Sequence, residues 1–315
     1  VKNKGVLGET NRNQVRGEAL ALRAFLHFDL YRLFCPDVKL SPRAEGIPYN
    51  KEFGVALPPM YTVEEVVQLV INDLKEAETL LASDPIVSTV PYTLGTKSDA
   101  DKYVARMNLY GVKAMLARAY QAKGDNVKAV AYAKEVIESG KFRLLEFASV
   151  DQTEALTDVL FSDEHIFSLR NKELKDYSEK LHRDEKKDGA TSFKPLPFGS
   201  YYNWYEGNND DVRYSKWFNL GDFMKYYMDN TDAFFRKMPM IKLSEMYLIV
   251  AECSFDTDSE MSLEYLNVLR DHRIRNHVHL QYLSKESIQD EMRREYLGEE
   301  QMWYVMKRNN LKIET

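Results

Sequence analysis

The stretch RGEALALRAFLHFDLYRLF, Arg16 to Phe34, decides the fold. At 3.6 residues per turn it reads as one helix whose charges fall into two narrow strips, Arg16, Arg23 and His27 on one flank and Glu18, Asp29 and Arg32 on the other. Both faces between the strips are apolar. A one-faced surface helix carries a single apolar stripe, so this helix is predicted to be covered on two sides, as the middle layer of a stack of helices.

Outward from that helix, Cys35 to Tyr61 is a long connection whose Pro36, Pro42, Pro48, Pro58 and Pro59 forbid a continuous helix or a central strand. Connections of this length are often functional. The next helix starts at Thr62, where Thr62 and Glu65 form a capping box, and Val63, Val66, Val67, Val70, Ile71, Leu74, Ala77 and Leu81 mark its apolar face. Tyr103 to Ser139 reads as two helices turning at Gly124-Asp125, with Gly140 as the stop. Its small and aromatic positions Ala117, Ala119, Tyr120, Gly124, Ala129 and Ala133 resemble the tetratricopeptide pattern, in which small residues let paired helices approach closely. A weaker echo runs from Met240 to Arg270, with Thr257 and Glu260 as a capping box. A last helical stretch, Ser284 to about Arg308, is interrupted near Gly298. The expected fold class is therefore all-α, with tetratricopeptide-like helix pairs in an α/α superhelical scaffold. One unit is expected over 1–315, scaffold at about 10–139 and 239–310, with an irregular, aromatic-rich insertion at about 140–238.

A chain of 315 residues with 44% hydrophobic content can bury a large core, and a net charge of -6 argues against a nucleic-acid partner. The charged run Asp184 to Asp188 reads as a solvated loop. Cys35 and Cys253 lack the spacing of a disulfide framework, a redox pair or a zinc site and read as buried small residues. No stretch reaches membrane-spanning length.

Several blocks, in order along the chain, resemble the SusD/RagB family of outer-membrane nutrient-binding lipoproteins. They are the Arg16 to Phe34 helix followed by Gly46-Ile47-Pro48, Asp73-Leu74 with Ala77, EHIFSL at Glu164 to Leu169, and Asp211-Val212-Arg213-Tyr214 followed by Lys225-Tyr226. PMIKLSEMYLIVAE at Pro239 to Glu252 and LNVLR at Leu266 to Arg270 are the most specific, and EMRREYLGEEQMWYVMKR at Glu291 to Arg308 is similar to the closing block. Glu300 stands where that block usually has Gly. The family's lipid-modified Cys and first segment are absent from the sequence. The resemblance implies a non-catalytic protein at the extracellular face of the outer membrane, held by a lipid anchor. It would capture a glycan, or a peptide, and deliver it to a SusC-like TonB-dependent transporter. It implies no cofactor.

The residues themselves agree with the absence of catalysis: no nucleophile elbow, phosphate loop, dinucleotide fingerprint or zinc-protease helix is present. Paired acids such as Asp210-Asp211 and Glu299-Glu300 read as solvated surface. His277 and His279 lack a third metal ligand nearby, and Asn208 to Asp211 lack the spacing of a calcium loop. A tetratricopeptide-type adaptor is a second reading, set against by the long insertion, and a glycoside hydrolase is a third. Among the aromatics, Phe25, Phe28, Tyr110, Tyr120, Tyr247 and Tyr265 sit on helical periods and read as packing. Tyr214, Trp217 and Tyr226 belong to the Asp-Val-Arg-Tyr block and its sequel and read as structure. Trp204, Tyr201, Tyr202 and Tyr205 remain as ligand-binding candidates, with Tyr49 and Phe53 from the proline-rich connection.

Overall fold

The computed structural model describes residues 6–52, 54–88, 103–151, 158–182, 200–219, 222–227 and 237–312. In chain order these form α1 (Glu9–Phe34), β1 (Glu45–Pro48), β2 (Met60–Thr62), α2 (Val63–Leu80), α3 (Leu109–Lys123), α4 (Asn126–Glu138), α5 (Phe147–Val150), β3 (His165–Arg170), α6 (Leu174–His182), α7 (Ser200–Trp204), α8 (Val212–Trp217), β4 (Phe218–Asn219), β5 (Asp222–Phe223), β6 (Lys237–Lys242), α9 (Leu243–Ser254), α10 (Ser259–Asp271), α11 (Lys285–Glu295) and α12 (Gln301–Arg308). The protein is mainly helical. Its strands pair two by two, β1 with β2, β3 with β6 and β4 with β5, all antiparallel. The described residues fall into two compact units, one drawn from Val1–Val90, Arg106–Lys141 and Glu299–Thr315, the other from Pro91–Ala105 and Phe142–Gly298. The charged run at Asp184 to Asp188 lies outside the described residues.

In the first unit α2 packs along α1. Gly17 makes the close approach possible, because a Cβ there would stand 2.6 Å from Leu81 Cγ. Every residue assigned to the apolar face of α2 is buried, and the Thr62–Glu65 capping box closes as expected, Thr62 N–H donating to Glu65 Oε2 at 2.8 Å. On α1 the face toward the core carries Gly17, Ala21, Ala24, Phe25, Phe28 and Tyr31. The opposite face departs from expectation: Leu22, Leu26, Leu30 and Leu33 are 38 to 59% exposed. The helix has two apolar faces, as its charge strips require, but among the described residues only one is covered. Apolarity dictates that a face gains by being covered; it does not supply the cover within the same chain.

The α3–α4 pair turns where the sequence indicates. Gly124 takes φ +82°, its N–H donates to Gln121 O and that of Asp125 to Tyr120 O, and the Asp125 carboxylate then caps α4 through Lys128 N–H. Ala117, Ala119, Ala129 and Ala133 are all buried. The first helix of the pair begins at Leu109, capped by Asn108, rather than at Tyr103. At the end of the chain α12 returns to α1: the Arg32 guanidinium lies 3.7 Å from the Tyr304 ring centroid, and Lys307 Nζ donates to Arg32 O at 2.6 Å.

In the second unit EHIFSL is largely strand, pairing with β6 from His165↔Lys242 to Arg170↔Lys237, and α9 follows β6 directly. The α9–α10 pair is tied by Ser262 Oγ donating to Ala251 O at 2.6 Å. Its cap falls on Asp258, whose carboxylate accepts Met261 N–H, and not on Thr257. The core holds Trp217, Phe161, Phe223, Tyr226 and Val212, and the Trp217 indole N–H donates to Val159 O at 2.8 Å. Gly298, at φ +74°, admits the Phe223 ring, which a Cβ would meet at 2.7 Å. Glu300 adopts φ +58°, so that turn keeps a left-handed residue although a side chain is present. His165 is buried with Nε2 3.0 Å from Leu160 O, and burial depresses its pKa to about 3.

Three outcomes test this architecture. Phe28→Ala should cost about 3 to 5 kcal/mol in denaturant unfolding, whereas Leu26→Ser on the open face of α1 should stay within about 0.5 kcal/mol. Ala129→Leu should overpack the α3–α4 pair by about 1 to 3 kcal/mol, read as a lower melting temperature. The depressed pKa of His165 means that the unfolded chain takes up a proton below the ordinary imidazole value of 6.5 that the folded chain refuses until about 3. That contribution to stability is complete above this window and shrinks as pH falls through it. Asp158, raised to about 6 by burial, acts in the opposite direction. His165→Gln should therefore flatten the fall in melting temperature between pH 6.5 and 4.5 relative to wild type.

Candidate functional site

Helix α7 is five residues long, and the chain leaves it through two consecutive left-handed residues, Glu206 at φ +59° and Gly207 at φ +66°. Gly207 N–H donates to Tyr202 O at 2.8 Å, and with no Cβ at Gly207 the Tyr202 ring can lie against the turn, where a Cβ would stand 3.3 Å away. Asp211 then caps α8 through Arg213 N–H. The product is a ledge of aromatic rings. Tyr201 meets Trp204 edge-on at 5.2 Å, Tyr202 lies 5.5 Å from Tyr214, and Tyr205 lies 5.9 Å from Tyr214, all between ring centroids.

The candidates separate by burial. Tyr201 and Tyr205 are 3% and 1% exposed, and Tyr205 Oη donates to Arg294 O at 3.1 Å. Tyr202 is 36% exposed and Trp204 is half-buried. Tyr214, assigned to structure from the sequence, is also half-buried beside Tyr202. The polar side chains of Asn203 and Glu206 are exposed on the same turn. Tyr49 belongs to the first unit and is 1% exposed: its hydroxyl donates to Asp73 Oδ2 at 2.7 Å, its ring stacks on His27 at 4.1 Å, and Arg23 forks onto the same Asp73 at 2.6 and 2.7 Å. Tyr49, Tyr201 and Tyr205 thus offer a ligand almost no surface. Phe53 and residues 196–199 lie outside the described residues.

Beneath the ledge is a buried ion-pair network whose carboxylates, Asp211 among them, the sequence reading leaves at the solvated surface. Arg213 pairs with Asp211 at 2.7 Å, Glu291 at 2.6 Å and Glu295 at 3.1 Å. Arg273 pairs with Glu295 at 2.9 Å and Glu164 at 2.7 Å, and Lys242 with Glu295 at 3.0 Å. Arg270 and Arg294 reach Glu291 at 2.8 and 2.9 Å and also hold the more exposed Glu206, each at 2.9 Å. Burial alone would raise the pKa of Glu291, but Arg213, Arg270 and Arg294 overcome it and hold the group at about 2. Arg273 and Lys242 likewise overcome burial at Glu295 and hold its carboxyl well below the usual carboxylate range. Charged residues inside the Asp-Val-Arg-Tyr, Leu-Asn-Val-Leu-Arg and closing blocks were the available signal, yet composition does not tell a buried carboxylate from a solvated one.

Among the described residues, one group assembles three metal-ligand types: Asp271, His277 and His279 place ligand atoms within 4.8 Å of one another. The third ligand missing from the sequence reading is thus supplied by the end of α10. Its protonation opposes a metal. Arg270 Nε–H donates to His277 Nε2 at 3.1 Å, so the imidazole hydrogen sits on Nδ1 and points at Asp271 Oδ1, 2.8 Å away. The nitrogen facing the cluster has no lone pair to give, and the group serves to pin residues 277–279 to α10. Of the Asn208 to Asp211 oxygens, Asn208 Oδ1 accepts Asp210 N–H, and both Asp211 oxygens accept from Arg213.

Residues 3–109 match the family profile described as "Starch-binding associating with outer membrane". A 74-residue stretch is 40% identical to SusD-like protein P38 of Formosa agariphila, covering 22% of this chain and 14% of that protein. Among solved structures, a putative sugar binding protein from Bacteroides vulgatus superposes with a TM-score of 0.73 at 24% identity, over 97% of this chain and 68% of that one. Surface glycan-binding protein A from Bacteroides uniformis gives 0.68 at 17%, over 98% and 70%. The chain thus spans about two thirds of the length of those structures and a small part of the curated relative. The chain is thus similar to the SusD-like family in local sequence over its first third, and it shares the fold of these solved structures over nearly its whole length.

Proposed function

We propose that this chain captures carbohydrate at the outer membrane without altering it and passes it to a TonB-dependent transporter of the SusC type. The observation that carries the binding reading is the pair of open rings, Tyr202 and Trp204, set beside the exposed amide of Asn203 on a turn fixed from below. Flat aromatic faces next to amide and carboxylate groups suit sugar rings, which present C–H surfaces and hydroxyl rims. Two of the carboxylates that follow these rings, Glu206 and Asp211, are committed to Arg270, Arg294 and Arg213, which favours binding over acid–base catalysis at those two groups. The open leucine face of α1, inside the span matched by the outer-membrane-associating family, supports a protein partner in addition to the ligand.

Affinity electrophoresis through soluble starch and a panel of other polysaccharides tests the reading, with peptides as the competing outcome. On whichever polysaccharide retards the wild type, Trp204→Ala should weaken binding about tenfold or more, roughly 1.4 kcal/mol, with little change in melting temperature. A loss of about 3 to 5 kcal/mol of folding stability instead would place the indole in the core. Incubation with the same polysaccharides should release no new reducing ends.

A further inference from the structure

We infer that Arg294 is a positioning residue for the ligand ledge, holding the backbone of Trp204 and the carboxylate of Glu206 so that the indole is presented in one orientation. Its importance for ligand capture rests on the carbohydrate reading above. Its geometric role does not.

One residue of α11 grips three consecutive residues of the ledge. The Arg294 guanidinium donates through Nε to Trp204 O at 2.5 Å and forms an ion pair through Nη2 with Glu206 Oε1 at 2.9 Å, and its own carbonyl accepts the Tyr205 hydroxyl at 3.1 Å. Trp204 O is one of the carbonyls that a five-residue helix leaves without an intrahelical donor, and Arg294 supplies that donor. Glu206 stands in the left-handed region, which a residue with a side chain occupies only when its surroundings hold it there. Arg270 grips the same carboxylate from α10 at 2.9 and 3.1 Å. The neighbouring Arg293 lies 5.7 Å from the Trp204 ring centroid. A ring fixed before the ligand arrives loses less rotational freedom on binding.

Arg294 is dispensable to the charge balance below. Without it Glu291 keeps Arg213 at 2.6 Å and Arg270 at 2.8 Å, so replacing Arg294 leaves no carboxylate stranded. A lysine at 294 retains the charge but cannot reach a carbonyl and two carboxylates at once, since it lacks the planar fork.

The test is ¹⁹F NMR of the full chain labelled with 5-fluorotryptophan, in which Trp204→Phe identifies one of three tryptophan signals, the others being Trp217 and Trp303. In Arg294→Lys the Trp204 signal should shift and broaden while that of the buried Trp217 stays in place. Glu206→Gln, at an exposed side chain, should move the same signal less. In the same variants retardation by soluble starch should weaken about threefold to tenfold if the wild type binds it. An unmoved Trp204 signal in both variants overturns the proposal, as does a Trp217 signal that moves with it, which would mark a general core role. Wild-type binding to starch that is unaltered in Arg294→Lys overturns the link to capture. A wild type retarded by no polysaccharide removes the carbohydrate reading and leaves the positioning role to be decided by the signals alone.

Discussion

Four carboxylates and five cations, buried together in the second unit, set the terms for everything built around them. Glu295 accepts from Arg273, Lys242 and Arg213; Glu291 accepts from Arg270 and Arg294 and pairs with Arg213; Glu164 and Asp211 complete the outer pairs, and Glu206 brings the set to the surface. Each buried ion carries a desolvation cost of several kcal/mol, offset by the partners it meets in this arrangement. The network therefore acts less as a source of stability than as a constraint on arrangement. The turn before β3, β6, α8, α10 and α11 contribute to it at once, and displacing one of them would strand a charge.

That constraint draws on most of the blocks by which the chain resembles the SusD/RagB family. Arg213 of Asp-Val-Arg-Tyr, Glu164 of EHIFSL, Lys242 before α9, Arg270 at the end of LNVLR, and Glu291, Arg294 and Glu295 of the closing block are widely separated in sequence and meet here. Their pairing holds the fold, whatever the ligand. The surface we propose for recognition is the ledge above the network, where Tyr202 is exposed, Trp204 is half-buried and two arginines pair with Glu206 of the turn. Scaffold and site are thus chemically distinct: paired charge inside, open aromatic faces outside.

The first unit is held differently. Its core is an aliphatic contact between α1 and α2, drawn close at Gly17 and bordered by the Arg23–Asp73–Tyr49 cluster. Here the proline-rich connection serves a structural purpose, since Tyr49 packs inward with its hydroxyl engaged. The second face of α1 remains apolar and open among the described residues. A row of leucines between neutralised flanks, Arg23 with Asp73 on one side and Asp29 with Arg32 on the other, suits contact with an uncharged protein surface.

What could be read from the chain alone was whatever depends on neighbours in sequence. Helix periods, the Thr62–Glu65 capping box, the Gly124-Asp125 turn and the two apolar faces of α1 follow from spacings of a few residues, and the structure contains each of them. The cap of α10 fell one residue from expectation because Thr257 and Asp258 both offer an oxygen and only the local backbone chooses. Tertiary structure alone decided which aromatics face solvent, since Tyr201 and Tyr202 are adjacent and chemically identical yet 3% and 36% exposed. It also decided that Asp211 and Glu291 are buried ions, and that Asp271 joins His277 and His279 under a tautomer set by Arg270. A charge is buried or solvated, and a ring covered or open, according to partners dozens of residues away, and sequence spacing carries no record of those distances.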